Sequence, residues 1–229
     1  MHWAGSGKTP EFMKLPMAFD CLKKSPIIPP MGIRFILILL MMPTALNARP
    51  VSYTGGSTFM LFADDMKNST YYHYSPSYKY SLGIELVDDR KQDENYAYFR
   101  YTHLLDRKNT RHSQRNFYFQ SGVSSQGLDG HFYGLHGDWE TRRLFAGFGV
   151  KRVNTDSQDY TEQFLQFGFA PYLGNYGDLH SWLMVKTKRT SLTDGWHTYP
   201  VIKFFKGDYL FEMGVDENNQ LDAHFMIRF

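Results

Sequence analysis

Most of the chain after residue 57 repeats one beat: apolar and polar side chains alternate every second residue. The last nine residues, 221–229, show it without a miss. Leu221, Ala223, Phe225, Ile227 and Phe229 fall on one face, and Asp222, His224, Met226 and Arg228 on the other. A strand sends successive side chains to opposite faces, whereas a helix needs a period near 3.6. The same beat runs through Tyr78–Val87, Ala97–Thr102, Phe117–Val123, Phe132–Glu140, Leu144–Lys151, Glu162–Phe169, Trp182–Lys188 and Tyr209–Asp216. Weaker segments near 57–64, 69–75 and 197–206 bring the count to twelve strands, with ten as the alternative. Pro200 weakens the 197–206 strand, because proline cannot donate to a ladder.

Turn signals punctuate the strands. They fall at Lys67-Asn-Ser69, Asp88–Asp93, Arg107-Lys-Asn109, Thr141-Arg-Arg143, Asn154-Thr-Asp156, Gly174-Asn175, Gly207-Asp208 and Glu217-Asn-Asn219. Strands of nine to eleven residues joined by short turns suit a tilted membrane crossing. An even number returns both ends to one side. The expected fold is therefore all-β: a closed, antiparallel, up-and-down transmembrane β-barrel. A soluble lipocalin-type barrel has the same period with its apolar face turned inward, so alternation alone leaves both open. Tyr71, Tyr72, Tyr96, Trp139, Tyr160, Tyr172, Tyr176 and Trp196 lie near strand ends, where an interfacial aromatic girdle is expected.

The amino-terminal part does not share the beat. Residues 1–30 carry five prolines, the only cysteine, Cys21, and no sustained period. Met31-Gly-Ile-Arg34, the apolar run Phe35–Met42 and the small-residue stretch to Ala48 read as a secretory signal peptide, with cleavage expected after Ala48. Residues 1–30 then read as an extension outside the native chain or disordered, and 49–229 as the barrel domain. The competing reading is a long signal region using Lys14, Lys23 and Lys24. Without residues 1–48, Lys+Arg falls from 25 to 20 and Asp+Glu from 23 to 21, so net charge moves from +2 to −1. Basicity thus resides in the leader, and no nucleic-acid partner is expected. With Cys21 gone, disulfides and thiol chemistry drop out. Ala4-Gly-Ser-Gly-Lys-Thr9 lacks the first glycine of a phosphate-binding loop.

The face opposite the apolar one carries the candidate chemistry. His136, Asp138 and Glu140 are spaced by two and share a strand face, an arrangement that can bind a divalent cation or relay protons. The competing reading is a charge network inside a narrow barrel, with Lys79, Glu85, Arg100, Lys151, Lys186, Glu212, Asp222, His224 and Arg228 as members. Of the eight histidines after residue 48, His136, His180 and His224 fall on this face, whereas His73 and His112 read as solvated near turns. Asp64-Asp65 and Asp88-Asp89, with His73, are candidates for a rim enzyme acting on lipid or peptide. No serine has a convincing nucleophile setting. No cofactor is expected, and catalysis is the minority expectation.

The tail ending in Phe229 resembles the C-terminal strand of bacterial outer-membrane β-barrels. That resemblance implies outer-membrane lipid and the barrel-assembly machinery as partners. Asp138-Trp-Glu-Thr-Arg-Arg143, Phe169-Ala-Pro-Tyr172 and Asp178-Leu-His-Ser-Trp-Leu183 resemble a group of proteobacterial outer-membrane proteins associated with heavy-metal, particularly copper, resistance. The second resemblance implies a barrel and supplies no catalytic residues. The expected role is a narrow pore, or a structural or accessory component of an envelope system, with metal efflux as the system the resemblance suggests. The alternatives are the rim enzyme and a soluble periplasmic lipocalin-like binder.

Overall fold

The computed structural model describes residues 50–229, apart from 156, 157, 176 and 194 and the side chain of Leu128. The expected extension, signal peptide and Tyr176 lie outside the described residues. Twelve strands follow in order: β1 (Ser57–Ala63), β2 (Lys67–Ser77), β3 (Tyr80–Asp89), β4 (Glu94–Asn109), β5 (Ser113–Ser124), β6 (Gly127–Thr141), β7 (Leu144–Asn154), β8 (Asp159–Phe169), β9 (His180–Thr190), β10 (His197–Lys206), β11 (Tyr209–Val215) and β12 (Leu221–Arg228). Each pairs antiparallel with its sequence neighbours, and β12 closes on β1 from Thr58↔Arg228 to Ala63↔Ala223. Ser57 and Phe229 exchange backbone hydrogen bonds of 2.7 and 3.0 Å at the seam. Closure removes the unpaired edges that an open sheet would leave in lipid.

The expected strand count of twelve holds, and several turns move. Lys67, Asn68 and Ser69 are paired with Asp89, Asp88 and Val87, so they open β2 and the turn is 64–66. Polar residues are tolerated there because Lys67 faces a partner inside the barrel. Asp88 and Asp89 likewise end β3. The Arg107–Asn109 signal falls inside β4, which runs on to Asn109 past a bulge between Leu104 and Asp106. Pro200 sits within β10, facing outward opposite Val185, and the β10–β11 ladder starts one residue later at Val201. Its missing N–H therefore lies where that ladder has no rung.

Parity decides which face meets which medium. Phe99, Phe167 and Leu86 are 62%, 59% and 57% exposed on the outer wall, together with Leu82, Ile84, Leu165, Leu183 and Val185. Glu85, Gln166 and Glu212 are buried on the inner wall. A lipocalin-like protein would place these faces the other way round, so the soluble-binder expectation fails. An apolar belt around a charged interior is stable in lipid, where hydrocarbon rather than water covers it. Tyr72, Trp139, Tyr172 and Trp196 are exposed as a girdle requires, whereas Tyr71, Tyr96 and Tyr160 are buried inward. Their parity with Ser69, Tyr98 and Glu162 puts them inside.

Inward aromatic rings need room, and glycines on neighbouring strands supply it. Phe132 lies opposite Gly122, where an added Cβ would stand 2.3 Å from the ring. Phe164 lies opposite Gly149 at the same separation. The end of the barrel bearing Ser57 and Phe229 is called the terminus end below, and the opposite one the loop end. Met66, in the first loop-end turn, packs with Val87, Tyr96, Tyr98, Phe132, Val153 and Tyr160. This cluster fills the loop end on the β3–β8 side.

Candidate functional site

A cavity of about 720 Å³ lies in the barrel interior. Its lining includes Arg111, His112, Arg142 and His180 at the terminus end and Asp64, Lys67 and Lys188 toward the loop end. Spread over the roughly 25 Å height of an outer-membrane apolar band, that volume gives a mean cross-section of about 30 Å² for the centres of water-sized spheres. The lumen is therefore narrow.

Ion pairs cross it. Glu162 takes Lys67 at 2.7 Å and Lys151 at 2.9 Å, joining β2, β7 and β8. Arg100 donates to Glu85 at 2.8 Å and to the Gln120 side-chain carbonyl at 3.1 Å. Asp222 accepts from Lys186 at 2.7 Å and from the Tyr199 hydroxyl. Lys188 reaches Asp64 at 2.6 Å and Asp65 at 3.3 Å. Lys203 lies 3.7 Å from Glu212, which also accepts from Gln166 Nε2 at 2.8 Å. Beside the cavity, whose lining includes neither residue, Arg228 contacts Asp208 at 3.3 Å. These pairs join seven cations to seven carboxylates, so they leave little net fixed charge. An ion transferred from water into so narrow a space is costly unless it is paired, which explains the balance. Burial raises the Asp64 carboxyl, but Lys188 and Lys67 outweigh it and hold the group below its ordinary range.

Aromatic rings share the wall with the cations. Arg100 stands 4.2 Å over Tyr71 and 5.0 Å over Phe132, and Lys203 stands 4.1 Å over Phe145. Such stacking holds a long cationic side chain against the wall rather than across the passage. Phe145, Trp182, Met184, Tyr199 and Val201 form one apolar stretch, and Met60, Tyr71, Leu210 and Met226 form another.

The sequence-derived residues fare unevenly. Glu85, Arg100, Lys151, Lys186, Glu212, Asp222, His224 and Arg228 face inward as expected. His224 stacks on Phe62 at 4.3 Å. Lys79 does not join the network: it is exposed in the β2–β3 turn, 5.8 Å over the Tyr78 ring. A turn position breaks the strand parity that placed it inside. His136, Asp138 and Glu140 share one face of β6, but Asp138 accepts from Asn116 at 2.7 Å and His136 packs edge-on to Phe164. Among the described residues no three His, Cys, Asp or Glu side chains converge as a metal site would require.

The rim grouping does not assemble either. His73 is fully buried against Tyr71, not solvated. It pairs with Gly83, six residues along β3 from Asp89, a separation of about 20 Å at strand rise. Lys67, Glu162, Lys188, Lys203, Tyr199 and Asp208 belong to the observed network and not to the expected one. Parity could have flagged the first five, since each shares a strand face with an inward residue. Asp208, in a turn, carries no such signal.

No family model and no curated protein matches the chain. Solved structures that it resembles include a KdgM porin, at TM-score 0.46 and 10% identity, covering 76% of this chain and 98% of that one. They also include a KdgM porin in complex with disordered oligogalacturonate, at TM-score 0.46 and 9% identity with the same coverage. The barrel assignment rests on this chain's own closed ladder.

Proposed function

We propose that this chain is a narrow pore of the bacterial outer membrane that passes small polar solutes with little preference for charge. The observation that supports it is a lumen whose middle and loop end carry balanced ion pairs, inside an apolar outer belt. Polar walls keep water in the passage, and paired charges leave a transiting ion little net field. Phe229, hydrogen-bonded to Ser57 at the seam, is the residue through which the assembly machinery recognises the closing strand. A metal-handling role has no convergent ligand set to rest on among the described residues.

Liposome swelling with sugars of graded size, joined to the reversal potential in a tenfold KCl gradient, tests this reading. Pentoses enter and trisaccharides do not. The reversal potential stays well short of the ~59 mV of an ideally selective pore. Swelling no faster than in protein-free liposomes, or a near-ideal potential, contradicts it.

A further inference from the structure

The segment before β1 does not lie outside the barrel. Val51 and Ser52 are each 1% exposed. Val51 packs with Leu104 of β4 and Tyr118 of β5. The Ser81 hydroxyl donates to the Pro50 carbonyl at 3.1 Å, and the Ser52 amide donates to Ser75 Oγ at 3.0 Å. The Gly55 amide donates to the Ser75 carbonyl and the Ser75 amide to the Gly56 carbonyl, at 2.8 and 2.9 Å. The chain thus folds inward at the terminus end and reaches from β2 toward β4 and β5.

The wall beneath it is unlike the rest of the lumen. Its inward residues are Thr58, His73, Ser75, Ser81, Gly83 and Thr102, which are mostly small. No ion pair named above comes from this group. Both ring nitrogens of His73, Thr58 Oγ1 and Ser52 Oγ are buried without a hydrogen-bond partner. Buried polar atoms are normally satisfied, so such a group is poorly suited to permanent closure and well suited to contact with water. The segment is held by one apolar side chain and a few hydrogen bonds, several of them to serine.

We infer that residues 50–52 form a displaceable strap, which in the closed state blocks a polar lane along β1–β4 and when released widens the pore at its terminus end. The consequence for the pore rests on the function proposed above; the geometry of the strap does not. Val51 is the anchor: placing a carboxylate between Leu104 and Tyr118 favours release. Ser81 is hydrogen-bonded to Pro50, so its accessibility reports the strap's position.

Two readouts on the full chain, in a Cys21→Ser background, test it. In the first, a Ser81→Cys reporter is labelled by a water-soluble thiol reagent with and without Val51→Asp. Val51→Asp speeds labelling on the order of tenfold or more, the change in open population expected from losing one buried valine. Val51→Ile leaves the rate near that of the reporter alone. Equal rates with and without Val51→Asp, in proteins shown to be folded by heat-modifiable migration, overturn the strap.

In the second readout, planar-bilayer recordings show a larger unitary conductance for Val51→Asp than for the parent. A disulfide made by Ser52→Cys with Ser75→Cys holds the parent level. Conductance unchanged by Val51→Asp overturns the inference while leaving the pore intact. Silence from every variant removes the pore reading, and the labelling rates still decide the strap.

Discussion

Glu162→Gln removes the carboxylate that holds Lys67 and Lys151 at 2.7 and 2.9 Å, among three side chains that are 14–27% exposed. At an effective dielectric near 20, each contact is worth about 6 kcal/mol of attraction before desolvation is subtracted. Breaking a sealed pair by removing one partner costs about 3–5 kcal/mol, and a fully exposed pair contributes under about 1. The cavity beside Glu162 lets some water in, so Glu162→Gln is expected to destabilise the barrel by about 2–4 kcal/mol. Lys151→Met alone costs less, because Lys67 still neutralises the carboxylate. Combining Glu162→Gln, Lys67→Met and Lys151→Met recovers most of the loss, since no unpaired charge remains. Reversible urea unfolding in liposomes, followed by tryptophan fluorescence, measures all four proteins. A Glu162→Gln barrel within about 0.5 kcal/mol of the parent would refute the reasoning. So would a triple variant weaker than the single one.

On the lipid face, Phe167→Arg costs about 2–4 kcal/mol near the bilayer midplane, measured by the same unfolding assay. Gly83→Ala destabilises strongly, because its Cβ would stand 2.2 Å from the Tyr72 carbonyl and 2.7 Å from His73 Cβ; the folded fraction on heat-modifiable gels reads this. The Asp64 carboxyl titrates below its ordinary range in the folded barrel, so its contribution is present above the unfolded value near 3.8 and is lost as pH falls through the folded one. Asp64→Asn therefore weakens the barrel at neutral pH, and the gap from the parent closes at pH values below 3.8; a constant gap contradicts it. Deleting Phe229 slows insertion by the assembly machinery in vesicles while leaving detergent folding possible, and unchanged insertion rates contradict its role as the recognised end.

The fold was legible because a barrel in lipid writes its two media onto alternate residues. Leu82, Ile84 and Leu86 against Ser81, Gly83 and Glu85 need no tertiary knowledge to sort. Turns were less legible, since polar inward residues such as Lys67 look like turn residues until their partner is known. That partner, Glu162, comes from β8 and meets Lys67 only once the sheet has closed. The same limit hid the link between Lys186 and Asp222 and the whole of the strap, whose Val51 sits in no alternating segment. His73 misled for a related reason: nearness to a turn in sequence suggested solvent, but its parity with Tyr71 put it in the wall.

If a water-filled passage runs through a membrane-embedded barrel, the folded protein conducts ions. Single-channel recording in planar bilayers, on protein first shown to be folded by heat-modifiable migration, tests this most directly. Small, discrete conductance steps that persist at either polarity are the expected result. A folded, membrane-inserted barrel that gives no steps above those of the detergent blank would contradict it.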